Sequence, residues 1–325
     1  MYIYYVLSFI LPLVIMIFAT PKLTKLAYKI NYIEKVKLDS ERKIHTDPKP
    51  YLASVGMFIA FWISYIIFVP HINTRTILIF ISSLLIYIIG TIDDWFKIKE
   101  KDFHFLPKMI VQLIACILIY VSGIKFNGIT NPFNDQYILF PDWIQFFLTI
   151  IWMFGIITVI NFSDGMDGLA GGITFISAGT LFIVSAATGN YNSSIMSVIL
   201  MGICLGYLKY NKFPAKILMG DSGATFLGFV LGLISLEGAF KQSTIISILV
   251  TFIALGLPIF DNIFVIFKRV KNKQPIYIGD SSQIHFRLLS TGLNQKQTVF
   301  VLYLICLCLN LIAVIILLLS FIFLK

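Results

Sequence analysis

Charge is what this 325-residue chain has least of: only 13% of its residues are Asp, Glu, Lys or Arg, while 58% are hydrophobic. Soluble domains are about a quarter charged and about half apolar, so a soluble globular fold is excluded. Cysteine is also sparse. Cys116, Cys204, Cys306 and Cys308 all stand in apolar runs, without the spacing of a zinc site or a disulfide framework. The first run, "MYIYYVLSFILPLVIMIFAT", lacks a basic leader and a small-residue cleavage site, so a retained first span is expected in place of a signal peptide. No linker, internal repeat or low-complexity tail breaks the chain, which reads as one transmembrane domain over 1–325. The net charge of +9 carries no sign of nucleic-acid recognition; it reports topology and attraction to anionic lipid or substrate.

Long apolar runs are abundant. A span takes roughly 20 apolar residues, and about ten runs meet that measure: 2–20, 51–70, 76–92, 108–124, 142–160, 168–187, 194–210, 222–238, 245–267 and 298–324. The expected fold is therefore all-α, a polytopic integral membrane protein with about ten transmembrane helices. Lys and Arg set its orientation. With the N-terminus outside, every basic residue except Arg75, Lys125, Lys241 and Lys325 falls on the cytoplasmic side. The cytoplasmic loops are then about 21–50, 93–107, 161–167, 211–221 and 268–297, and both termini lie outside. Topology alone accounts for most of these lysines; Lys49, Lys108 and Arg287 are kept as candidate substrate contacts.

On this topology the acids gather. Asp93 and Asp94 follow the third span, Asp164 and Asp167 the fifth, Asp221 precedes the eighth, and Asp261 lies near the inner end of the ninth. Acids at span ends are costly unless they line a wet site and meet a partner. Converging carboxylates repel unless a cation neutralises them, and an oxygen-rich site suits Mg²⁺ together with substrate phosphates; Mn²⁺ is an alternative. "GDSGATFLG" and "SDGMDGLAGG" add glycines beside helix starts, where backbone N–H groups can approach an anion. Gly171, Gly172, Gly228 and Gly232 are read as helix-packing positions. His71 and His104 are read as interfacial anchors, and Asp102 and Asp142 as solvated loop acids.

These residues resemble the polyprenyl-phosphate N-acetylhexosamine-1-phosphate transferases. The likeness runs nearly end to end, through "ERKIHTDPKPYLASVG", "GTIDDWFKIKEKDFHFLPKMIVQ", "INFSDGMDGLAGG", "KILMGDSGATFLG" and "GLPIFDNIFVIFKRV" in the family's order. The resemblance implies transfer of a sugar 1-phosphate from a UDP-N-acetylhexosamine to a polyprenyl phosphate lipid, with release of UMP, at the cytoplasmic face of the inner (plasma) membrane. It assigns Asp221 and Asp93 to the metal, and Asp93 also to the attacking lipid phosphate. Asp94 supports them, and Asn161, Asp164 and Asp167 belong to the nucleotide and catalytic pocket. Gly165 and Gly168 supply backbone, Lys108 meets phosphate, and Asp261, His285 and Arg287 complete the site. Direct attack and a covalent enzyme intermediate both stay open, and a homodimer is admitted as an assembly.

Three departures stand out. The last cytoplasmic loop reads "QIHFRLLSTGL", with Gln283 and Phe286 where relatives often carry histidines; "LASVG" replaces a common Gly-Gly pair, and Thr158 a common Asn. The altered loop suits an enzyme that starts a surface glycan better than the phospho-MurNAc-pentapeptide transferase of peptidoglycan synthesis, which is the alternative. A membrane prenyltransferase would need Asn-Asp-x-x-Asp and a second acidic motif, and a CDP-alcohol phosphotransferase an Arg absent from "DGLAGG". A transporter should place acids near the bilayer midplane and show repeated halves. Loss of activity is argued against by the intact acids.

Overall fold

The computed structural model describes residues 2–34, 48–69, 72–131, 136–238, 245–274 and 282–323. His71, Lys35, Lys37, Arg42, Lys43, Lys241 and Lys325 lie outside the described residues. The chain is built from α1 (Tyr2–Lys29), α2 (Ala53–Phe68), α3 (Thr74–Ile98), α4 (Phe105–Val121), α5 (Asp142–Phe162) and α6 (Leu169–Ala187). There follow α7 (Tyr191–Asn211), α8 (Gly220–Gly238), α9 (Ile245–Ala254), α10 (Gly256–Lys271), α11 (Ile284–Ser290) and α12 (Gln295–Phe323). Two small antiparallel ladders, absent from the all-α expectation, complete it. In one, β1 (Ile33–Glu34) pairs with β2 (Lys49–Pro50), Glu34 opposite Lys49; in the other, β3 (Gly128–Thr130) pairs with β4 (Tyr137–Leu139), Ile129 opposite Ile138.

The protein is thus all-helical in substance and a multi-pass membrane protein. Among the described residues, α1, α3, α5, α6, α7 and α12 are long and apolar enough to cross a bilayer, and α9 with α10 makes a seventh span if the pair is counted as one. The apolar helices α2 and α4, at 16 and 17 residues, are shorter. Helices overrun several expected loop boundaries: α1 continues to Lys29, α3 continues to Ile98, and the 268–297 stretch holds the end of α10 and all of α11. The extra turns of α3 put Asp93 and Lys97 four residues apart on one helix, the spacing at which side chains meet.

The single span expected over 245–267 is two helices meeting at 75°. Pro258 has no N–H and cannot bond the carbonyl four residues earlier, which belongs to Ala254. That carbonyl accepts instead from Ser177 Oγ of α6 at 2.8 Å and Asn310 Nδ2 of α12 at 3.1 Å. The bend is thereby fixed by two neighbouring helices, and it turns α10 away from the line of α9.

At the centre lies α8, buried along its whole length except at Asp221. A helix apolar on all sides needs neighbours on all sides, and α2, α3, α5, α6 and α7 supply them. Small residues set the distances. A Cβ on Gly90 of α3 would overlap the Ser222 backbone of α8, and one on Gly228 would lie 2.8 Å from Ile157 Cα of α5. Gly232 faces Met153, Gly171 faces Tyr207 and Gly172 faces Tyr303, in line with the packing reading of these four glycines. Within this apolar setting the indoles of Trp62 and Trp152 donate to Ser83 Oγ and Ser235 Oγ at 3.1 and 2.7 Å.

The α3–α8 approach can be tested with one methyl group. Gly90→Ala should lower the thermal midpoint in detergent by the equivalent of about 1–3 kcal/mol of overpacking, whereas Gly155→Ala, with nothing within 4 Å, should not. Equal midpoints for the two variants would remove the claim that backbone contact at Gly90 sets this junction.

Candidate active site

The last turns of α3, the first turn of α4 and the start of α8 meet at one end of the helix bundle. Asp93 and Asp94 are neighbours in α3 and so point about 100° apart. Asp93 turns toward α4, where its Oδ2 accepts from Lys108 Nζ at 2.7 Å. Lys108 also donates to Asp221 Oδ2. Lys97 donates to Asp221 Oδ1 at 2.5 Å and stands 3.6 Å from Asp93 Oδ2. Two carboxylates and two ammonium groups therefore form one closed, charge-balanced cluster. Lys97 was not among the sequence candidates, because a lysine near an inner span end is accounted for by topology; its four-residue spacing from Asp93 was the available signal.

Asp94 turns the other way and is fully buried. Its carboxylate accepts from Asp221 N at 2.7 Å, Ser222 N at 3.0 Å and Ser222 Oγ at 2.6 Å. A helix start leaves its first N–H groups without intrahelical partners, and here a carboxylate from another helix supplies the cap. Gly220 precedes it at φ +67°, and a Cβ there would lie 2.5 Å from Asp94 Oδ2. Both oxygens of Asp94 are spent on holding α8, which makes it a positioning group for Asp221.

The loop between α5 and α6 carries the second set of acids. Asn161 closes α5, and its carbonyl accepts from Asp164 N at 3.2 Å. Asp164 is half-buried; burial, and then the charges of Asp221 and Asp94, push its carboxyl up to about 8. Asp167 is buried and its Oδ2 accepts from Ala215 N at 2.8 Å, while Lys49 Nζ donates to Ala215 O at 2.6 Å. Asp167 and Lys49 thus hold one peptide segment from two sides. Gly168 stands at φ +82° where α6 begins, but its N–H donates to Asn211 Oδ1 at 2.8 Å. That amide is committed within the protein, contrary to the expectation that it would face an anion.

The short helix α11 closes over this loop. His285 is buried, and a Cβ on Gly165 would overlap its imidazole. The residue at 165 must therefore be small for His285 to seat. Asp261 of α10 accepts from Ile284 N at 2.8 Å and from an Arg287 guanidinium nitrogen at 3.3 Å, and Arg287 lies over the Phe264 ring at 4.1 Å. Asp261 and Arg287 accordingly anchor α11 to α10. His104, read as an interfacial anchor, caps α4 by accepting from Leu106 N at 3.3 Å.

The structure therefore brings Asp93, Asp94, Lys97, Lys108 and Asp221 into one cluster, with Asp164 in electrostatic reach and Gly165, His285 beside it. Asp93 and Asp221 converge on the same two cations, the Lys108 and Lys97 ammonium groups. Among the described residues no group of three His, Cys, Asp or Glu is placed to hold a metal by itself. Mg²⁺ usually takes one or two carboxylates, with substrate phosphates and water completing its shell, and this pair of hard oxygen donors fits that demand.

Burial lowers the His285 imidazole to about 4, whereas in an unfolded chain it titrates near ~6.5. The unfolded state binds the proton first, so this contribution to stability is whole above about pH 6.5 and is lost as pH falls toward about 4. The raised Asp164 on the neighbouring loop acts in the opposite sense. The readout is therefore the difference between two proteins. The thermal midpoint of His285→Gln should fall less than that of the unmodified chain between pH 6.5 and 4; parallel curves would mean that His285 does not carry this acid sensitivity.

Comparison with known proteins shows the family. The family model described as glycosyl transferase family 4 matches residues 76–239, which span α3 through α8 and every acid of the cluster. A protein of Bacillus subtilis named as a probable undecaprenyl-phosphate N-acetylglucosaminyl 1-phosphate transferase is 35% identical over 92% of this chain and 81% of its own length. A phospho-N-acetylmuramoyl-pentapeptide-transferase of Prochlorococcus marinus is 31% identical over 69% of this chain and 64% of its own. A decaprenyl-phosphate N-acetylglucosaminephosphotransferase of Mycobacterium leprae is 26% identical over 84% and 75%. With its acids, lysines and closing helix assembled at one end of an apolar bundle, the chain belongs to glycosyl transferase family 4.

Proposed function

We propose that the protein transfers N-acetylhexosamine 1-phosphate from a UDP-sugar to polyprenyl phosphate. The product is the first lipid-linked intermediate of a cell-surface glycan, and UMP is released. The observation that carries this reading is the convergence of Asp93 and Asp221 on Lys108 and Lys97. Such a cluster can exchange partners: when a diphosphate arrives, the two ammonium groups can pass from the carboxylates to phosphate oxygens. Lysine serves phosphate as a mobile point charge.

The reaction forms a bond between a lipid phosphate oxygen and the sugar-bearing phosphorus. The bond from that phosphorus to the bridging oxygen breaks, and the bridging oxygen leaves with UMP. Asp93 orients the lipid phosphate. With Asp93 given to orienting the lipid phosphate, this reading takes direct attack by the lipid over a covalent enzyme intermediate. Asp221 and Asp93 would hold Mg²⁺, which when bound supplies positive charge to the diphosphate and the departing UMP. Asp164, on the neighbouring loop, can donate a hydrogen bond while it is protonated.

The finer topology belongs to the same reading. Ten passes, counting α9 and α10 together, place both termini outside and the cluster at the cytoplasmic face of the plasma membrane. The lysine distribution supports it. The nucleotide sugar then arrives from water and the lipid phosphate from the bilayer.

In detergent with undecaprenyl phosphate and Mg²⁺, the protein should release UMP from one UDP-N-acetylhexosamine, N-acetylglucosamine being the first donor to try, and release none without lipid. Asp221→Asn and Asp93→Asn should each reduce turnover roughly 100-fold or more in a protein that still folds. Turnover of UDP-MurNAc-pentapeptide alone would replace the surface-glycan reading with the peptidoglycan one, and near-normal turnover in either variant would overturn the site.

A further inference from the structure

Glycine at a positive φ permits a conformation without enforcing it, since nothing on the residue itself disfavours the alternatives. Gly168 is such a residue, at the point where the acidic loop becomes α6. Its peptide groups are gripped from outside by two other helices. The N–H donates to Asn211 Oδ1 at the end of α7, and the carbonyl accepts from the Tyr303 hydroxyl of α12 at 2.6 Å. The carbonyl already has its helical partner, Gly172 N at 2.9 Å, so the phenol is not needed to satisfy a stranded acceptor. It adds direction.

Both grips are built features. Asn211 is buried, and its Nδ2 donates to Ile217 O at 2.9 Å, in the segment that leads to Asp221. One amide side chain therefore ties the acidic loop to the strand of chain that carries the cluster's second carboxylate. The Tyr303 ring is seated where any side chain on Gly172 would overlap it. Tyr303 stands 135 residues from Gly168, outside every motif quoted above. Next to Gly168 is Asp167, and four residues before it in the same loop is Asp164.

We infer that Tyr303 is a positioning residue for the transfer. With Asn211 it fixes the Gly168 peptide, and through it the placement of Asp164 and Asp167 relative to Asp221. This rests on the reading of that loop as part of the UDP-sugar site. Misplacement of such groups by about 1 Å costs on the order of 100-fold in well-organised sites; loss of one of two grips should cost less.

The test is Tyr303→Phe, which keeps the ring and deletes the hydroxyl. The expected result is a fall of roughly tenfold in kcat/KM for the UDP-sugar, with KM for polyprenyl phosphate and the thermal midpoint unchanged. Gly172→Ala, which drives the phenol off Gly168 without altering its chemistry, should reproduce the donor-specific loss. Unchanged donor kinetics in Tyr303→Phe would overturn the inference, as would equal losses toward both substrates accompanied by a lowered midpoint, the mark of a merely structural contact. If the unmodified protein itself released no UMP, the underlying reading of the reaction would have failed, and that outcome is separate from both.

Discussion

The site depends on one carboxylate that holds a helix start in place. Asp94 reaches from the end of α3 to the first amides of α8 and spends both oxygens there. A buried charge needs full compensation by hydrogen bonds or counter-charge, and a helix start offers several donors together with a favourable dipole. The arrangement settles two demands with one contact. It caps a helix buried along its length, and it fixes the residue after the cap, Asp221, within reach of Asp93. The neighbouring glycines follow from the same contact: Gly90 lets the two backbones approach, and Gly220 leaves room for the carboxylate.

Charge balance is the second constraint. Asp93 and Asp221 would repel one another in a setting of low polarity, and removing one partner from a buried ion pair leaves an uncompensated charge. Lys97 and Lys108 neutralise the pair in the absence of substrate. The same two ammonium groups are those that the proposed reaction would pass to phosphate oxygens.

Much of this was legible in the sequence. The all-helical, multi-pass character and the gathering of acids needed only hydropathy and charge, and the order of motifs came from the family resemblance. Details that depend on where a helix stops were not legible, because apolar runs blur their own ends. Asp93 and Asp94 fall in a loop by hydropathy but in α3 in the structure, which runs on to Ile98 and brings Lys97 onto the same helix. The bend between α9 and α10 had a local signal in Gly256 and Pro258, but the partners that stabilise it, Ser177 and Asn310, come from distant helices. Asp261 and Lys49 carried charges that suggested substrate; in the structure they meet Arg287, the Ile284 amide and the Ala215 carbonyl. Contacts of that kind depend on tertiary placement, which no spacing rule records.

The altered closing loop can be understood in the same terms. The two residues it keeps, His285 and Arg287, are those with a fixed place: one seats against Gly165, the other pairs with Asp261. Of the two that differ, Gln283 precedes α11 without capping it, and Phe286 tilts against the His285 ring at 4.3 Å. The hold of α11 on the acidic loop therefore runs through His285 against Gly165, and its hold on α10 through Arg287 and Asp261.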